Sequence, residues 1–355
     1  MPAKTLPVLR GRGASWNPPN RFERLHMERD GWTDPDDPPP DTVLLGDATR
    51  SILSRNESPD VGFDVGVNPY RGCGHGCSYC YARPMHEYLG FSAGLDFETK
   101  ILVKRDAADL LRRSLSSPRW TPEPIMFSGA TDAYQPVERR LRITRRCLEV
   151  LAELRNPVIV TTKSHLVTRD VDLLGELVGH RAAAVTLSIT TLRPEIQRAL
   201  EPRASTPARR LDAIRVLTDA GIPVGVNVAP VIPGLTDHEL PGILEAAADA
   251  GATFASLILL RLPHGVKEVF ETWLDQHTPE RKDKVLNRLR EMRDGKLYDA
   301  RYAVRGRGEG LWADQLQALF RLTRDRLGLD RRPELSTEAF RRPTEPVPAQ
   351  TELFA

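Results

Sequence analysis

Short β-branched runs alternate with amphipathic segments from residue 61 to residue 265, and this alternation limits the fold more than any other feature of the chain. Repeated strand–helix alternation is typical of a parallel sheet with helices packed outside it. Six such units predict an α/β fold, a partial (β/α)6 barrel that is open on one side and has right-handed crossovers. The six predicted strands are Phe63–Asn68, Pro124–Phe127, Val158–Thr162, Ala183–Ile189, Val224–Ala229 and Thr253–Leu260.

Local signals predict helix boundaries between these strands. Asp106 and Asp170 are expected to cap helices, because an aspartate before an apolar periodic run accepts from the first free amides. Pro136 is expected to open one helix that continues through Leu148 and Leu151. Gly221 is expected to close another.

The regions on either side of the core differ from it in composition. Residues 1–60 are rich in proline, asparagine and aspartate, which predicts an irregular N-terminal extension. Within it we expect a short strand at Thr42–Leu45 and a brief helix near Ser51–Ser54. Residues 266–330 carry leucines at helical spacing and predict a helical C-terminal region. Residues 331–355 are polar and contain prolines, so we expect a tail that is disordered near its end.

Composition points to a globular protein of the cytoplasm. Hydrophobic residues make up 40% and charged residues 28% of 355 residues, and no apolar run approaches the roughly 20 residues that span a bilayer. The first residues lack the apolar stretch of a secretory signal. The net charge of +2 hides basic runs at 139–146 and 301–307, which suit solvated surfaces or a groove for a polyanion.

Three of the four cysteines lie within eight residues, as Cys73-x3-Cys77-x2-Cys80. Such crowding in a cytoplasmic chain is typical of a metal site and not of a disulfide framework. Three thiolates in one loop can bind three irons of a 4Fe–4S cluster and leave the fourth iron open to a substrate or cofactor. Gly72, Gly74 and Gly76 allow the backbone to turn sharply around such a cluster. A zinc site completed by a histidine is the alternative, but structural zinc sites favour C-x2-C pairs; the candidate ligands are His75 and His86.

With the aromatic Tyr79 before its last cysteine, this motif resembles the signature of radical S-adenosylmethionine (radical SAM) enzymes. The surrounding strings are similar to the branch of that family that contains spore photoproduct lyase. They lie within residues 61–265, while the N-terminal string Asn17–Phe22 suggests a separate subgroup. The core strings are Asn68–Gly72, Tyr81–Pro84, Thr162–Ser164, Leu200–Arg203 and Ala229–Gly234.

This resemblance implies a chemistry. The open iron would chelate S-adenosylmethionine through its methionyl amine and carboxylate. One-electron reduction would then give methionine and a 5′-deoxyadenosyl radical, which abstracts hydrogen from a substrate. The resemblance also implies a low-potential flavodoxin or ferredoxin as electron donor. The protein's part in such chemistry is to position the cofactor and to exclude side reactions.

Candidate cofactor contacts follow the predicted strands, because ligands of α/β barrels bind at the carboxyl ends of strands. The family often has a Gly-Gly-Glu-like segment for the methionyl amine; here only Gly129 matches, with Ser128, Thr131 and Asp132 as alternatives to the glutamate. The resemblance assigns the methionyl carboxylate to Lys163, and Ser188 would support it.

Three further polar residues are candidates with structural alternatives. Glu201 and Arg203 follow the fourth strand and are expected to contact cofactor or substrate, although Glu201 is equally suited to capping a loop. Asn227 interrupts an apolar strand, and ribose hydroxyls or backbone groups would satisfy its amide.

The substrate stays open at this stage. Spore photoproduct lyase uses a further cysteine as hydrogen donor, but Cys147 lies among leucines of an amphipathic helix, which suits a buried structural thiol. The alternatives are therefore a nucleic-acid lesion lyase or base modifier and, from another class, a non-catalytic zinc or iron–sulfur module.

Overall fold

The computed structural model describes residues 7–23 and 40–343. The ten strands in this part of the chain are β1 (Val43–Gly46), β2 (Leu53–Arg55), β3 (Val65–Val67), β4 (Tyr70–Arg71), β5 (Lys100–Val103), β6 (Ile125–Phe127), β7 (Val158–Thr162), β8 (Ala183–Ile189), β9 (Val224–Val231) and β10 (Phe254–Leu259).

The helices alternate with these strands. They are α1 (Leu95–Thr99), α2 (Ala107–Ser116), α3 (Glu138–Leu141), α4 (Ile143–Leu154), α5 (Val171–Val178), α6 (Pro194–Leu200), α7 (Pro207–Asp219), α8 (Leu240–Asp249), α9 (Val266–His277), α10 (Pro279–Glu291) and α11 (Leu311–Arg326). Short 3-10 helices lie at Arg83–Leu89, His165–Asp170 and Asp237–Glu239. No helix of the described ranges is both long and apolar enough to span a bilayer.

The main sheet confirms the predicted partial barrel. Its strand order is β10-β9-β8-β7-β6-β3-β2. Six of these strands, β3 and β6 to β10, pair in parallel in the order in which they occur along the chain. Every residue of β8 is buried, as expected for a central strand covered on both faces. The carboxyl ends of these strands form the mouth of the barrel.

The predicted helix near Ser51–Ser54 is wrong, because this stretch contains β2. Leu53 pairs with Val67 and Arg55 with Val65, antiparallel, at the edge of the main sheet. The free backbone edge of β3 supplies this pairing, and a local sequence pattern does not reveal that edge.

The single helix predicted from Pro136 is also wrong, since Arg142 adopts a left-handed conformation (φ 53°) and divides α3 from α4. The carboxylate of Glu138 accepts from the amides of Ile143 and Thr144 at 3.0 and 3.1 Å and so caps the second helix. Asp106 and Asp170 stand at helix starts, but neither side chain makes the predicted cap hydrogen bond. The Asp170 carboxylate instead pairs with two arginines, Arg145 and Arg169.

A second, three-stranded sheet supports the loop that follows β3. Its order is β1-β5-β4, with β1 parallel and β4 antiparallel to β5. The predicted strand at Thr42–Leu45 is confirmed as β1. Because β4 ends at Arg71, this sheet fixes the start of the cysteine loop.

The C-terminal region closes the open side of the barrel. The amide of Leu259 donates to the carbonyl of Gly306 at 2.9 Å, and Arg305 pairs with Asp60 ahead of β3. The stretch between α10 and α11 therefore connects the two edges of the main sheet. Residues 331–343 of the predicted tail lie against the helical layer, where the Arg341 amide donates to the carbonyl of Leu154; residues 344–355 lie outside the described residues.

Candidate functional site

The cysteine loop leaves β4 through a sharp turn that requires glycine. Gly72 and Gly76 have positive φ angles of 78° and 68°. A Cβ at Gly72 would lie 2.9 Å from Cε1 of His86, and one at Gly76 would lie 2.6 Å from the Glu98 carboxylate. Both positions therefore need glycine for backbone conformation and for space.

Neighbouring loops at the barrel mouth hold the cysteine loop from several sides. The Gln135 side chain, after β6, accepts from the Gly74 amide at 2.8 Å and donates to the carbonyl of Gly72 at 3.1 Å. The amide of Ser78 donates to the carbonyl of Leu200 at 3.0 Å. The backbone of the cysteine loop is thus held by hydrogen bonds from residues that follow β6 and from the end of α6.

The three thiols face a largely buried environment. Cys73 and Cys77 are each 7% exposed, and Cys80 is half-buried. Burial raises the pKa of Cys77 well above its usual range, with Glu201 raising it further and Lys163 opposing. Burial, aided by Cys73, raises the pKa of Cys80 to about 11. Thiolates in this setting need a compensating cation, and bound iron supplies one, so the loop fits an iron–sulfur cluster.

The two histidines considered as zinc ligands have other partners. Nδ1 of His75 lies 3.3 Å from the Asp132 carboxylate, and Nε2 of His86 lies 2.9 Å from the carbonyl of Lys100. Within residues 7–23 and 40–343, no three His, Cys, Asp or Glu side chains converge as ligands of one metal ion would. A 4Fe–4S cluster takes one thiolate per iron, so its ligands do not need such convergence.

Glu201 is the centre of a buried polar network beside the cysteine loop. Its carboxylate is fully buried and pairs with Arg210, itself buried, and with Lys163 at 3.2 Å. It also accepts from the hydroxyls of Tyr79 and Thr190. Through Tyr79 this network connects the cysteine loop to the ends of β7 and β8.

Lys163 lies at the end of β7, as predicted, and its ammonium group already has several protein partners. Besides Glu201, Nζ donates to the carbonyl of Ala229 at 2.8 Å and to the hydroxyl of Thr190 at 3.3 Å. An ammonium has three hydrogens to donate. Lys163 would therefore bind an incoming carboxylate only by exchanging one of these contacts.

Ser188 and Asn227 lie side by side inside the barrel. They are register partners on β8 and β9, and Ser256 of β10 continues the same row. The Ser256 hydroxyl donates to the Asn227 side-chain carbonyl at 3.1 Å. Among the described residues, the side-chain NH2 group of Asn227 and the Ser188 hydroxyl make no hydrogen bond, so both can bind a polar ligand.

The residues predicted after β6 mainly hold their own loop. The Ser128 hydroxyl accepts from the Ala133 amide at 2.8 Å, and the Thr131 hydroxyl donates to the carbonyl of Tyr70 at 3.1 Å. Asp132 accepts from the Thr162 hydroxyl and from the Lys163 amide. The loop therefore spans the ends of β6 and β7, beside the cysteine loop.

Arg203 and Cys147 lie away from the row of polar residues that Ser188, Asn227 and Ser256 form. The Arg203 amide donates to the carbonyl of His75, and its guanidinium donates to the hydroxyl of Thr42, so the side chain lies toward the N-terminal extension. Cys147 is fully buried in the core on α4, in agreement with the structural thiol that the leucine pattern predicts.

Sequence reasoning missed several residues that shape the site. Arg210 is a buried partner of Glu201, and only its place on the apolar face of α7 could have drawn attention to it. Arg83 is fully buried and donates twice to the carbonyl of Cys77, at 2.8 and 3.0 Å. Arg83 lies within the string Tyr81–Pro84 that carries the family resemblance, but nothing in that string assigns it a partner.

Comparison with known proteins agrees with this geometry. The model of the Radical SAM superfamily matches residues 67–247, about half of the chain. The uncharacterized protein Rv2578c of Mycobacterium tuberculosis is 38% identical over 252 residues, which cover 70% of this chain and 72% of that protein. The radical SAM Nalpha-GlyT isomerase of Pseudomonas phage M6 is 28% identical over 175 residues, covering 49% of this chain and 34% of that protein.

Solved structures of spore photoproduct lyase share the fold. The lyase complexed with a dinucleoside spore photoproduct has a TM-score of 0.58 and 17% identity, over 80% of this chain and 79% of that one. A doubly substituted variant with bound AdoMet and the same photoproduct has a TM-score of 0.55 at 17% identity, over 81% and 79%. The family model covers about half of this chain, and the alignment with Rv2578c covers 72% of that protein. The chain therefore belongs to the radical SAM superfamily and is an enzyme of that family.

Proposed function

We propose that this enzyme binds a 4Fe–4S cluster on Cys73, Cys77 and Cys80 and uses it to cleave S-adenosylmethionine reductively. The observation that carries the proposal is a loop of three closely spaced thiols, turned by Gly72 and Gly76, at the end of the first barrel strand. When bound, the cluster supplies the electron that converts S-adenosylmethionine into methionine and a 5′-deoxyadenosyl radical.

The residues of the mouth would then position the cofactor and keep water out. Ser188 and Asn227 offer a hydroxyl and an amide on the inner wall, next to the Lys163–Glu201 pair. Lys163 is the candidate for the methionyl carboxylate, with Glu201 holding it near the strand ends when no ligand is bound. Ser128, Thr131 and Asp132 are candidates for the methionyl amine through their oxygens.

The proposal extends to an electron donor and a compartment. A low-potential flavodoxin or ferredoxin would reduce the cluster, and the protein would act in the cytoplasm, where thiols stay reduced. The four cysteines are unpaired in the structure, which is compatible with that setting.

Anaerobic reconstitution tests the proposal directly. After loading with iron and sulfide, the protein should bind about four irons per chain, as a single cubane requires. With dithionite and S-adenosylmethionine it should release 5′-deoxyadenosine and methionine in equal amounts, measured by liquid chromatography. Loaded protein that forms neither product would contradict the proposal, and binding of zinc without sulfide would support a metal module instead.

A nucleic-acid substrate is the second candidate. It is favoured by two arginine–tyrosine pairs near the stretch between α10 and α11, which connects the two edges of the main sheet. The Arg261 guanidinium carbon lies 4.8 Å from the ring centre of Tyr81, and that of Arg305 lies 4.6 Å from that of Tyr302. The tyrosines are 42% and 54% exposed. Exposed aromatic rings beside arginines suit stacked bases and phosphates.

Arg261, in the first of these pairs, also has a hydrogen-bond donor without an acceptor. Its Nε is buried and, among the described residues, has no hydrogen-bond partner. A buried donor without an acceptor is costly, and a shift of the Arg261 side chain toward a substrate phosphate would give this nitrogen an acceptor. The relatedness to a lyase solved with a dinucleoside photoproduct supports the same substrate class.

Fluorescence anisotropy with a labelled oligothymidylate tests this candidate. Wild-type protein should bind it with an affinity that falls as salt rises. Arg261→Gln should weaken binding about tenfold, the effect of losing one charge-assisted contact. The control Arg321→Gln, on α11, should bind like wild type. Undetectable or salt-insensitive binding, or equal affinities for both variants, would count against a nucleic-acid substrate.

A further inference from the structure

The N-terminal segment 12–22 packs directly against the cysteine loop, although some 60 residues separate them in the chain. A Cβ on Gly13 would lie 1.7 Å from the carbonyl oxygen of Gly76 and 2.9 Å from the amide nitrogen of Ser78. A Cβ on Gly94 would likewise lie 2.0 Å from the carbonyl oxygen of Trp16. Backbone meets backbone at both points, and no side chain fits between them.

A buried carboxylate ties this segment to a cysteine. Glu98, on α1, accepts from the amides of Gly13 and Ala14 at 3.0 and 2.7 Å. Its other partner is Arg83 at 2.6 Å, and both side chains are 0% exposed. Since Arg83 donates to the carbonyl of Cys77, hydrogen bonds run without a break from the N-terminal segment to the middle cysteine.

The string Asn17–Phe22 supplies the second attachment. The Asn17 side chain donates to the Asp96 carboxylate at 3.1 Å and accepts from the Asp96 amide at 2.9 Å. Asn20 donates to the carbonyls of Glu87 and Phe91 at 2.9 and 2.8 Å. Both asparagines therefore cap backbone groups of the segment that follows the cysteines, which gives this motif a structural role.

We propose that residues 12–22 form the outer wall of the cluster site and hold the cysteine loop in its cluster-binding conformation. The inference rests on the proposed function for the identity of the cluster, but the wall itself is a property of the chain without it. Gly13 acts by allowing contact with Gly76, and Asn17 and Asn20 act as positioning residues. Removing the wall would let the loop open and expose its thiols.

The test compares two disruptions of the wall with matched controls. Asn17→Ala/Asn20→Ala removes side-chain hydrogen bonds at one end, and Gly13→Val blocks the backbone approach at the other. Asn287→Ala alters an exposed asparagine of α10, and Gly175→Val adds a side chain on α5, where a Cβ would meet nothing within 4 Å. None of these residues contacts the polar network of the mouth.

The first readout needs no cluster. In the cluster-free protein, alkylation of Cys77 by N-ethylmaleimide, followed by peptide mass spectrometry, should be about tenfold faster in both wall variants. The asparagine variant loses four part-buried hydrogen bonds, and the valine in Gly13→Val separates the backbone of the segment from that of the loop. A gain of about tenfold in local opening is the expected consequence of either loss. Cys147, in the core, should react at the wild-type rate, and the control variants should match wild type at both cysteines.

The second readout uses the reconstituted protein. Loss of iron to a ferrous chelator, followed by visible absorption, should also be about tenfold faster in the wall variants. Wild-type rates of both alkylation and iron loss in variants with unchanged melting temperatures would overturn the proposal. If Gly13→Val does not fold, the asparagine variant decides. If wild type takes up no cluster, the proposed function fails. The alkylation rates then still show whether residues 12–22 hold the cysteine loop in place.

Discussion

Cys77→Ser is expected to abolish formation of 5′-deoxyadenosine from S-adenosylmethionine, with a loss of at least about a thousandfold, because a site lacking one thiolate ligand cannot hold a redox-active cluster in place. Among the three proposed ligands, Cys77 has a carbonyl that accepts two hydrogen bonds from Arg83 and a thiol that is almost fully buried. Iron content after reconstitution and product formation under dithionite measure the effect. The fold should persist, because the contacts around the loop are made by its backbone.

Cys147→Ala is the matched control for that substitution. This thiol is also fully buried, but it packs among the leucines of α4 and has no place in the cysteine loop. Iron content and product formation should therefore equal those of wild type, with a loss of about 1 kcal/mol in stability from the lost packing. Equal loss of iron in both variants, or full activity of Cys77→Ser, would contradict the assignment of the three ligands.

Glu201→Gln should lower the free energy of unfolding by about 3 kcal/mol, because it leaves the buried Arg210 charge without its partner. The substitution also weakens the anchor of Tyr79 next to the cysteines. Urea denaturation measures the loss. Glu153→Gln is the control, since its pair with Arg112 lies at the surface and should contribute less than about 1 kcal/mol. Similar losses in both variants would contradict the role of the Glu201 network.

The same carboxylate predicts a dependence on pH. Burial raises the pKa of Glu201, but Arg210 and Lys163 outweigh it and hold this pKa well below the usual 4.5. A carboxylate whose pKa is depressed by folding contributes stability above its unfolded pKa and loses it as the pH falls further. Stability of wild type should therefore decline below about pH 4.5 more steeply than that of Glu201→Gln. Parallel acid-unfolding profiles would argue against this contribution.

Much of the barrel follows from local patterns that the chain carries in each segment. All six core strands lie where β-branched runs predict them, because a buried parallel strand needs a short apolar run wherever it sits. Helix continuity was harder to predict. The break at Arg142 depends on Glu138 turning back to cap α4, and the strand at Leu53–Arg55 depends on a free edge of β3.

The sequence by itself determined the cysteine loop and its glycines, because the three cysteines lie within eight residues and their spacing is local. Tertiary structure alone decided which distant groups surround that loop. Gly13 meets Gly76, and Glu201 meets Tyr79, only because the barrel brings these segments together. Long-range packing and the pairing of buried charges select such partners, and neither leaves a periodic signal in the chain.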